Sequence, residues 1–246
     1  MCPISKTIRM GYPKLLPFCF FLILFLVASN FFSNAQSLKE NKSGSWLVLS
    51  GNNKVHDRWS IPTVGILRHH DIFQQYEFAF VRTGISYKIS QASTFTTGVA
   101  YLNSKTYMES TAINRASQFW IYEEYALKTK LFSHRWRLET RWKKNIENLQ
   151  VNNRVRYRIQ YSQLLYKKIY LKSFNELFFN LNGPLFDQNR LYMGLGQILT
   201  PSVKIDIGYL KNHFKSSAHD VIRMGLTFKT DLTKKEIAQY RSIQSQ

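Results

Sequence analysis

From His134 to Lys143 the chain alternates charge and apolar bulk one residue at a time. Arg135, Arg137, Glu139, Arg141 and Lys143 fall on one side, and Trp136, Leu138, Thr140 and Trp142 on the other. The segment Arg154 to Tyr161 repeats this, with Arg154, Arg156, Arg158 and Gln160 against Val155, Tyr157, Ile159 and Tyr161. Successive side chains of a β-strand point to opposite faces, so these sets separate cleanly in extended chain. A helix would spread both around its circumference. The pattern therefore demands a sheet with one wet and one apolar face.

The alternation recurs along the chain. Candidate strands are 45–51, 59–68, 74–89, 93–103, 117–129, 134–145, 151–165, 168–181, 187–199, 202–213 and 219–230. Most run about 10–14 residues, whereas strands of soluble proteins have a mode of about 5–6 and a tilted membrane strand needs about 9–11 to cross. Short connections (Ile89 to Ser93, Thr129 to His134, Leu165 to Lys168, Leu199 to Ser202) alternate with longer ones (Asn103 to Ser117, Lys143 to Val151, Leu181 to Asp187, Lys211 to His219). Short turns on one rim and long loops on the other mark outer-membrane barrels, the short turns being periplasmic. The expectation is an all-β fold, a closed antiparallel transmembrane β-barrel of about 10–12 strands. Bacterial single-chain barrels have even strand numbers, so the eleven segments suggest either a further short strand in Gln36 to Ser43 or a split in 74–89.

The start of the chain reads as an address. Lys6, Arg9 and Lys14 precede the apolar run from Leu15 to Val27, and Ser33-Asn34-Ala35 places small residues at −3 and −1 of a cleavage point. The run is short for a spanning helix, which needs roughly 20 apolar residues. The expected organisation is a signal peptide at 1–35, an outer-membrane barrel at 36–230 and a polar C-terminal tail at 231–246. Cleavage after Ala35 removes both cysteines, Cys2 and Cys19, so the mature chain forms no disulfide or thiolate metal site. It also removes three basic residues, lowering the formal net charge from +19 to +16. For an exported chain that charge points away from nucleic acid and toward anionic lipid or a solvated surface.

Period two alone does not say which face points outward. The polar face is rich in arginine with scattered carboxylates: Arg82, Glu124, Arg137, Glu139, Arg141, Arg154, Arg156, Arg158, Glu176, Arg190, Asp206 and Arg223. Arginine's planar fork suits paired, confined networks, so these residues are expected to line a lumen. The opposite face carries Leu177, Phe179 and Leu181, Leu191, Met193 and Leu195, then Val203, Ile205 and Ile207, and is expected to face lipid. Aromatics near strand ends (Trp46, Trp59, Tyr87, Tyr101, Trp120, Trp136, Trp142, Tyr166, Tyr170, Tyr209 and Phe228) are expected in two interfacial girdles.

An ordered series of short motifs carries a family resemblance: Arg82-Thr-Gly-Ile-Ser-Tyr87, Gly98-Val-Ala-Tyr101, Tyr122-Glu-Glu-Tyr125, Arg137-Leu-Glu-Thr-Arg141, Asn153-Arg-Val-Arg-Tyr-Arg158, Asn175-Glu-Leu-Phe178 and Phe186-Asp-Gln-Asn-Arg-Leu-Tyr-Met-Gly194. The succession resembles the domain-of-unknown-function family 2490, exported barrels of Gram-negative bacteria, from about Trp46 to Phe228. The resemblance implies an outer-membrane barrel and no known activity. Glu124 stands where the family pattern has glutamine, which adds a charge to the lumen.

Catalytic and metal motifs are sparse. His69-His70-Asp71 could begin a metal site, but adjacent strand side chains point apart and no further ligands are spaced to complete it. His219-Asp220, near Ser216 and Ser217, lacks a nucleophile elbow. No cofactor is expected. The Arg154/Arg156/Arg158 ladder either attracts anions into a pore or pairs with Glu124, Glu139 and Glu176 to fill a narrow lumen, and 10–12 strands favour filling. The expected role is a non-enzymatic outer-membrane barrel, structural or a small anion-preferring channel, meeting outer-membrane lipid, lipopolysaccharide and the barrel-assembly machinery. An enzyme acting on lipid or lipopolysaccharide, and a secreted ligand-binding barrel, are the alternatives.

Overall fold

The computed structural model describes residues 43–70, 72–107, 113–144 and 149–233. Eleven strands follow in chain order: β1 (Gly44–Lys54), β2 (Trp59–His69), β3 (Tyr76–Lys88), β4 (Ser93–Tyr107), β5 (Ile113–Lys128), β6 (Phe132–Lys144), β7 (Leu149–Tyr166), β8 (Ile169–Asn180), β9 (Phe186–Thr200), β10 (Val203–Phe214) and β11 (Ala218–Asp231). Each pairs with its sequence neighbour, and β11 returns to β1 to close the barrel. Ten junctions are antiparallel and β1–β11 is parallel, matched from Gly44↔Val221 to Lys54↔Asp231.

The expectation of an even strand number is therefore corrected. The 74–89 region is one continuous strand, β3, and residues 36–42, the other candidate for a twelfth strand, lie outside the described residues. In a meander each strand reverses its predecessor, so an odd count brings the last strand back parallel to the first, where it can still form a ladder. The leader cleavage site and residues 234–246 also lie outside the described residues. Strands β4 and β5 each run four residues further than expected at the loop joining them.

Radial polarity is inverted relative to a soluble protein. Val81, Val99, Ile121, Leu138, Leu195 and Ile207 are exposed on the outer wall. Arg137, Glu139, Arg154, Arg156, Glu176, Asp206 and Arg223 are buried inside. Two apolar clusters share that interior. Phe80, Ala100 and Trp120 pack with Val64, Ile66, Phe78 and Leu102 on the inner wall of β2–β5, and Trp46, Phe174, Tyr192, Leu210 and Val221 pack with Val48.

Trp46 and Trp120 thus correct the girdle expectation: both are buried inward. Tyr170 has the parity of Lys172, which binds the buried Asp206, and its ring lies over Gly196. On the outer wall, Trp59 meets Tyr87 at 4.8 Å and Trp136 meets Tyr157 at 5.4 Å toward the short-turn rim, while Phe119 meets Trp142 at 5.9 Å toward the long-loop rim.

Glycine decides one close approach. Gly84 and Gly98 are register partners, and Tyr122 lies across both, its hydroxyl donating to Thr83 O at 3.2 Å. A Cβ on Gly98 would stand 2.2 Å from that same carbonyl and 2.7 Å from the Tyr122 hydroxyl. The missing side chains let a large ring lie flat against the wall and keep the lumen clear.

Candidate functional site

Strand pairing aligns the lumen charges in rows. Glu124 sits opposite Arg137, Glu139 opposite Arg154, and Glu176 between Arg158 on β7 and Arg190 on β9. Because inward positions recur every second residue, the three arginines of β7 form a ladder facing the carboxylates of β6 and β8.

Most of these charges join one network. The fully buried Glu139 accepts from Arg154 Nη2 at 2.6 Å and Nε at 2.9 Å, and from Arg156 Nη1 at 2.6 Å, with Arg137 at 3.4 Å. Arg156 turns its other nitrogen to Glu176 at 2.8 Å, and Arg135 donates to the same Glu176 oxygen at 2.5 Å. Glu124 takes Arg137 through Nε at 2.7 Å and through Nη2, with Arg82 at 3.3 Å and Arg135 at 3.6 Å. Arg154 ends the chain on Asp187 at 3.1 Å. Forked guanidinium contacts of this kind are short and directional.

A second cluster centres on Asp206, which accepts from Lys172 at 2.7 Å, from the Tyr192 hydroxyl at 2.9 Å and from Arg223. Gly225 makes the space for it, since a Cβ there would sit 2.9 Å from both carboxylate oxygens. Arg141 binds the side-chain oxygens of Asn152 and Asn180.

Arg158 and Arg190 differ from the rest. Neither has a carboxylate within 4.0 Å among the described residues. Arg158 instead lies 5.1 Å above the Phe174 ring, and Arg190 stacks on Trp46 at 4.8 Å and Phe178 at 4.6 Å. Ten cations (Arg82, Arg135, Arg137, Arg141, Arg154, Arg156, Arg158, Lys172, Arg190 and Arg223) share this interior with five carboxylates (Glu124, Glu139, Glu176, Asp187 and Asp206). With the balanced Arg68–Glu77 pair, these groups leave a formal excess of five positive charges in a setting where uncompensated charge is costly.

All twelve residues read from the sequence as a lumen set point inward, and eleven of them make a polar contact with another residue there. The lumen set read from the sequence left out Lys172, Asp187, Arg135 and the pair Arg68–Glu77, whose nearest atoms are 2.6 Å apart. Arg135 shares the parity of Arg137 and Glu139, and that signal was sufficient to find it. Tyr122 and Tyr192, which hold the wall and Asp206, carry no such signal.

Between these side chains lies a chamber of about 530 Å³. One wall is basic, with Arg135, Arg156, Arg158, Arg190 and Arg223, and the other is apolar, with Val48, Val64, Ile66, Phe78, Phe80 and Leu102. Its lining reaches Asn52, Pro62 and Lys229 at the short-turn ends of their strands.

The remaining candidates do not assemble. No group of three His, Cys, Asp or Glu side chains converges among the described residues. Asp71 lies outside them, and His69 packs on Phe73 at 6.3 Å. Asp220 accepts from Tyr209 and pairs with Lys211 at 3.9 Å, while His219 packs edge-on against Phe214.

A closed eleven-strand barrel with an apolar exterior and an ion-paired, net-basic interior defines the class of protein. The family described as "protein of unknown function (DUF2490)" matches residues 43–223, and the chain belongs to that family. No curated protein matches it.

Proposed function

We propose that this chain is an outer-membrane β-barrel, exported with cleavage after Ala35, whose basic lumen receives small anionic solutes without catalysing a reaction. The inverted radial polarity carries this reading: a wall that exposes Val81, Leu138 and Leu195 while burying Glu139 and Arg156 suits a hydrocarbon surround. Closure leaves no unpaired strand edge, as a bilayer requires. In this reading the outer wall meets outer-membrane lipid and lipopolysaccharide, after insertion by the barrel-assembly machinery.

The excess of lumen cations over carboxylates favours anions, because basic rings lower the barrier for anions and raise it for cations. The Glu139 and Glu176 networks occupy part of the lumen and offset part of its charge, so conduction is expected to be small and biased rather than strictly selective. Two measurements test this. Fractionation should recover the protein with outer membranes, with a gel mobility that changes on boiling; recovery in the soluble periplasm without detergent would sink the membrane assignment. In planar bilayers under a salt gradient, the reversal potential should indicate anion preference, and a cation preference would refute the role given to the lumen arginines.

A further inference from the structure

The chamber is two-sided, and a small inorganic anion would use only half of it. On the basic side, Arg158 and Arg190 sit on one row of the wall, on either side of Glu176, and neither has a carboxylate partner among the described residues. Glu176 holds Arg156 at 2.8 Å and Arg135 at 2.5 Å, both on Oε1, and neither Arg158 nor Arg190 comes within 4.0 Å of its carboxylate. Three more donors on the lining, Trp46 Nε1, Arg141 Nε and Arg156 Nε, are buried without an acceptor among the described residues. Half-buried guanidinium groups and buried N–H donors left unmatched are costly, unless an acceptor enters with its own charge.

The facing wall carries an apolar patch, flanked by Arg82 and Gln118. Val64, Ile66, Phe78 and Leu102 pack there around Phe80 and Trp120, with Val48 beside them. The chamber volume of about 530 Å³ falls within the range of small-molecule sites, roughly 300–1,000 Å³. Water alone would satisfy the donors but would wet the apolar wall.

We propose that the chamber binds a single-chain amphiphile with an anionic head group, carboxylate or phosphate. Arg158 and Arg190 hold the head group, and the chain lies along Val64, Ile66, Phe78 and Leu102. Entry is from the short-turn rim, where Asn52, Pro62 and Lys229 line the mouth. This rests on the reading of the lumen as an anion-receiving space and adds the requirement for an apolar tail.

The test uses the barrel refolded in nonionic detergent with the outward Trp59, Trp136 and Trp142 changed to Phe. Of the five tryptophans, Trp46 and Trp120 remain, both beside the chamber. Brominated palmitate and brominated hexadecyl phosphate should quench their fluorescence saturably. The head group that saturates at lower concentration identifies the preferred source. The Arg158→Gln/Arg190→Gln double variant, its closure checked by heat-modifiable mobility, should raise the half-saturating concentration at least tenfold. Inorganic phosphate should displace the probes at least tenfold more weakly than unbrominated palmitate does. Equal, saturable quenching by brominated hexadecanol, or an unchanged double variant, would overturn the proposal. Displacement by inorganic phosphate as effective as by palmitate would remove the tail requirement and leave the anion-receiving lumen standing. Failure of every anion to bind would overturn both.

Discussion

Arg156 and Arg158 are two residues apart on the same strand and face, yet their loss should have very unequal consequences. The sequence pattern makes them like rungs of one ladder, and from their face alone Arg156→Gln is expected to be much milder than Tyr157→Arg on the lipid side. The structure revises this. Arg156 bridges Glu139 and Glu176 at 2.6 and 2.8 Å, and both carboxylates are buried. Removing one partner of a buried pair typically costs about 3–5 kcal/mol, because the other charge is left without compensation. Here each carboxylate keeps a second arginine, Arg154 on Glu139 and Arg135 on Glu176, so the low end of about 3 kcal/mol applies. Arg158→Gln breaks no ion pair. It forfeits a cation–π contact with Phe174 worth roughly 0.5–2 kcal/mol and relieves the desolvation of an unpaired charge, so the net change should stay within about 1 kcal/mol of zero. Urea unfolding from detergent micelles, followed by tryptophan fluorescence, separates the two. At a slope of about 1–3 kcal/mol/M, Arg156→Gln should lower the midpoint by about 1 M or more, while Arg158→Gln leaves it nearly in place. Equal destabilisation by the two changes would refute the claim that Arg156 is the bridging residue.

Three further outcomes are expected. Ile121→Arg, on the outer wall in the middle of β5, should cost about 2–4 kcal/mol in a bilayer, as charges do near the midplane; assembly and urea midpoint equal to the unsubstituted barrel would place that face away from lipid. Gly98→Ala should destabilise by roughly 1–3 kcal/mol through overpacking against Thr83 O and Tyr122, and a Tyr122→Leu background should recover part of the loss. Epitopes placed just before Gly44 and just after Asp231 should be reached by antibody from opposite sides of the membrane, because the parallel seam starts β1 at one rim and ends β11 at the other; detection of both from one side would contradict an eleven-strand closure.

The fold was legible wherever charge alternated with bulk. β6 and β7 announce their inward residues because arginine and glutamate occupy one parity and Trp136, Leu138, Val155 and Tyr157 the other. In β1 the same logic fails: Trp46 and Val48 point inward while Leu47 and Leu49 point outward, so both faces are apolar and neither declares itself. β5 hides its parity in another way, with an aromatic and a glutamate on each face: Trp120 and Glu124 inward, Phe119 and Glu123 outward. That is why Trp46 and Trp120 read as girdle residues. The apolar half of the chamber comes chiefly from β2, β3 and β4, where inward Val64, Ile66, Phe80 and Leu102 alternate with outward Leu67, Val81 and Val99, so its basic half could be foreseen and its two-sided character could not. The partnerless state of Arg158 was equally hidden. Its register partner is Glu176, yet that carboxylate bonds Arg156 and Arg135 from the neighbouring positions and stays more than 4.0 Å from Arg158.

An odd barrel carries a junction its other strands do not, and the side chains around it bear this out. Parallel ladders are slightly less stable per residue than antiparallel ones, so a parallel β1–β11 closure starts at a disadvantage against the ten antiparallel junctions. Reinforcement gathers at its short-turn end. The Thr230 hydroxyl donates to Asn53 Oδ1 at 2.6 Å, and the same Asn53 amide donates to Ile61 O at 2.9 Å, tying β11 through β1 to β2. Just past the strand, Leu232 N donates to Lys54 O at 2.9 Å, adding a backbone bond to the ladder. Phe228 lies over its register partner Gly51, where a Cβ would stand 2.3 Å from the ring. An aromatic laid on a strand glycine restores the packing that the glycine lacks and pins register. Register matters most at this seam: a one-residue slip would turn every β11 side chain to the other face and carry Arg223 from Asp206 into the outer wall.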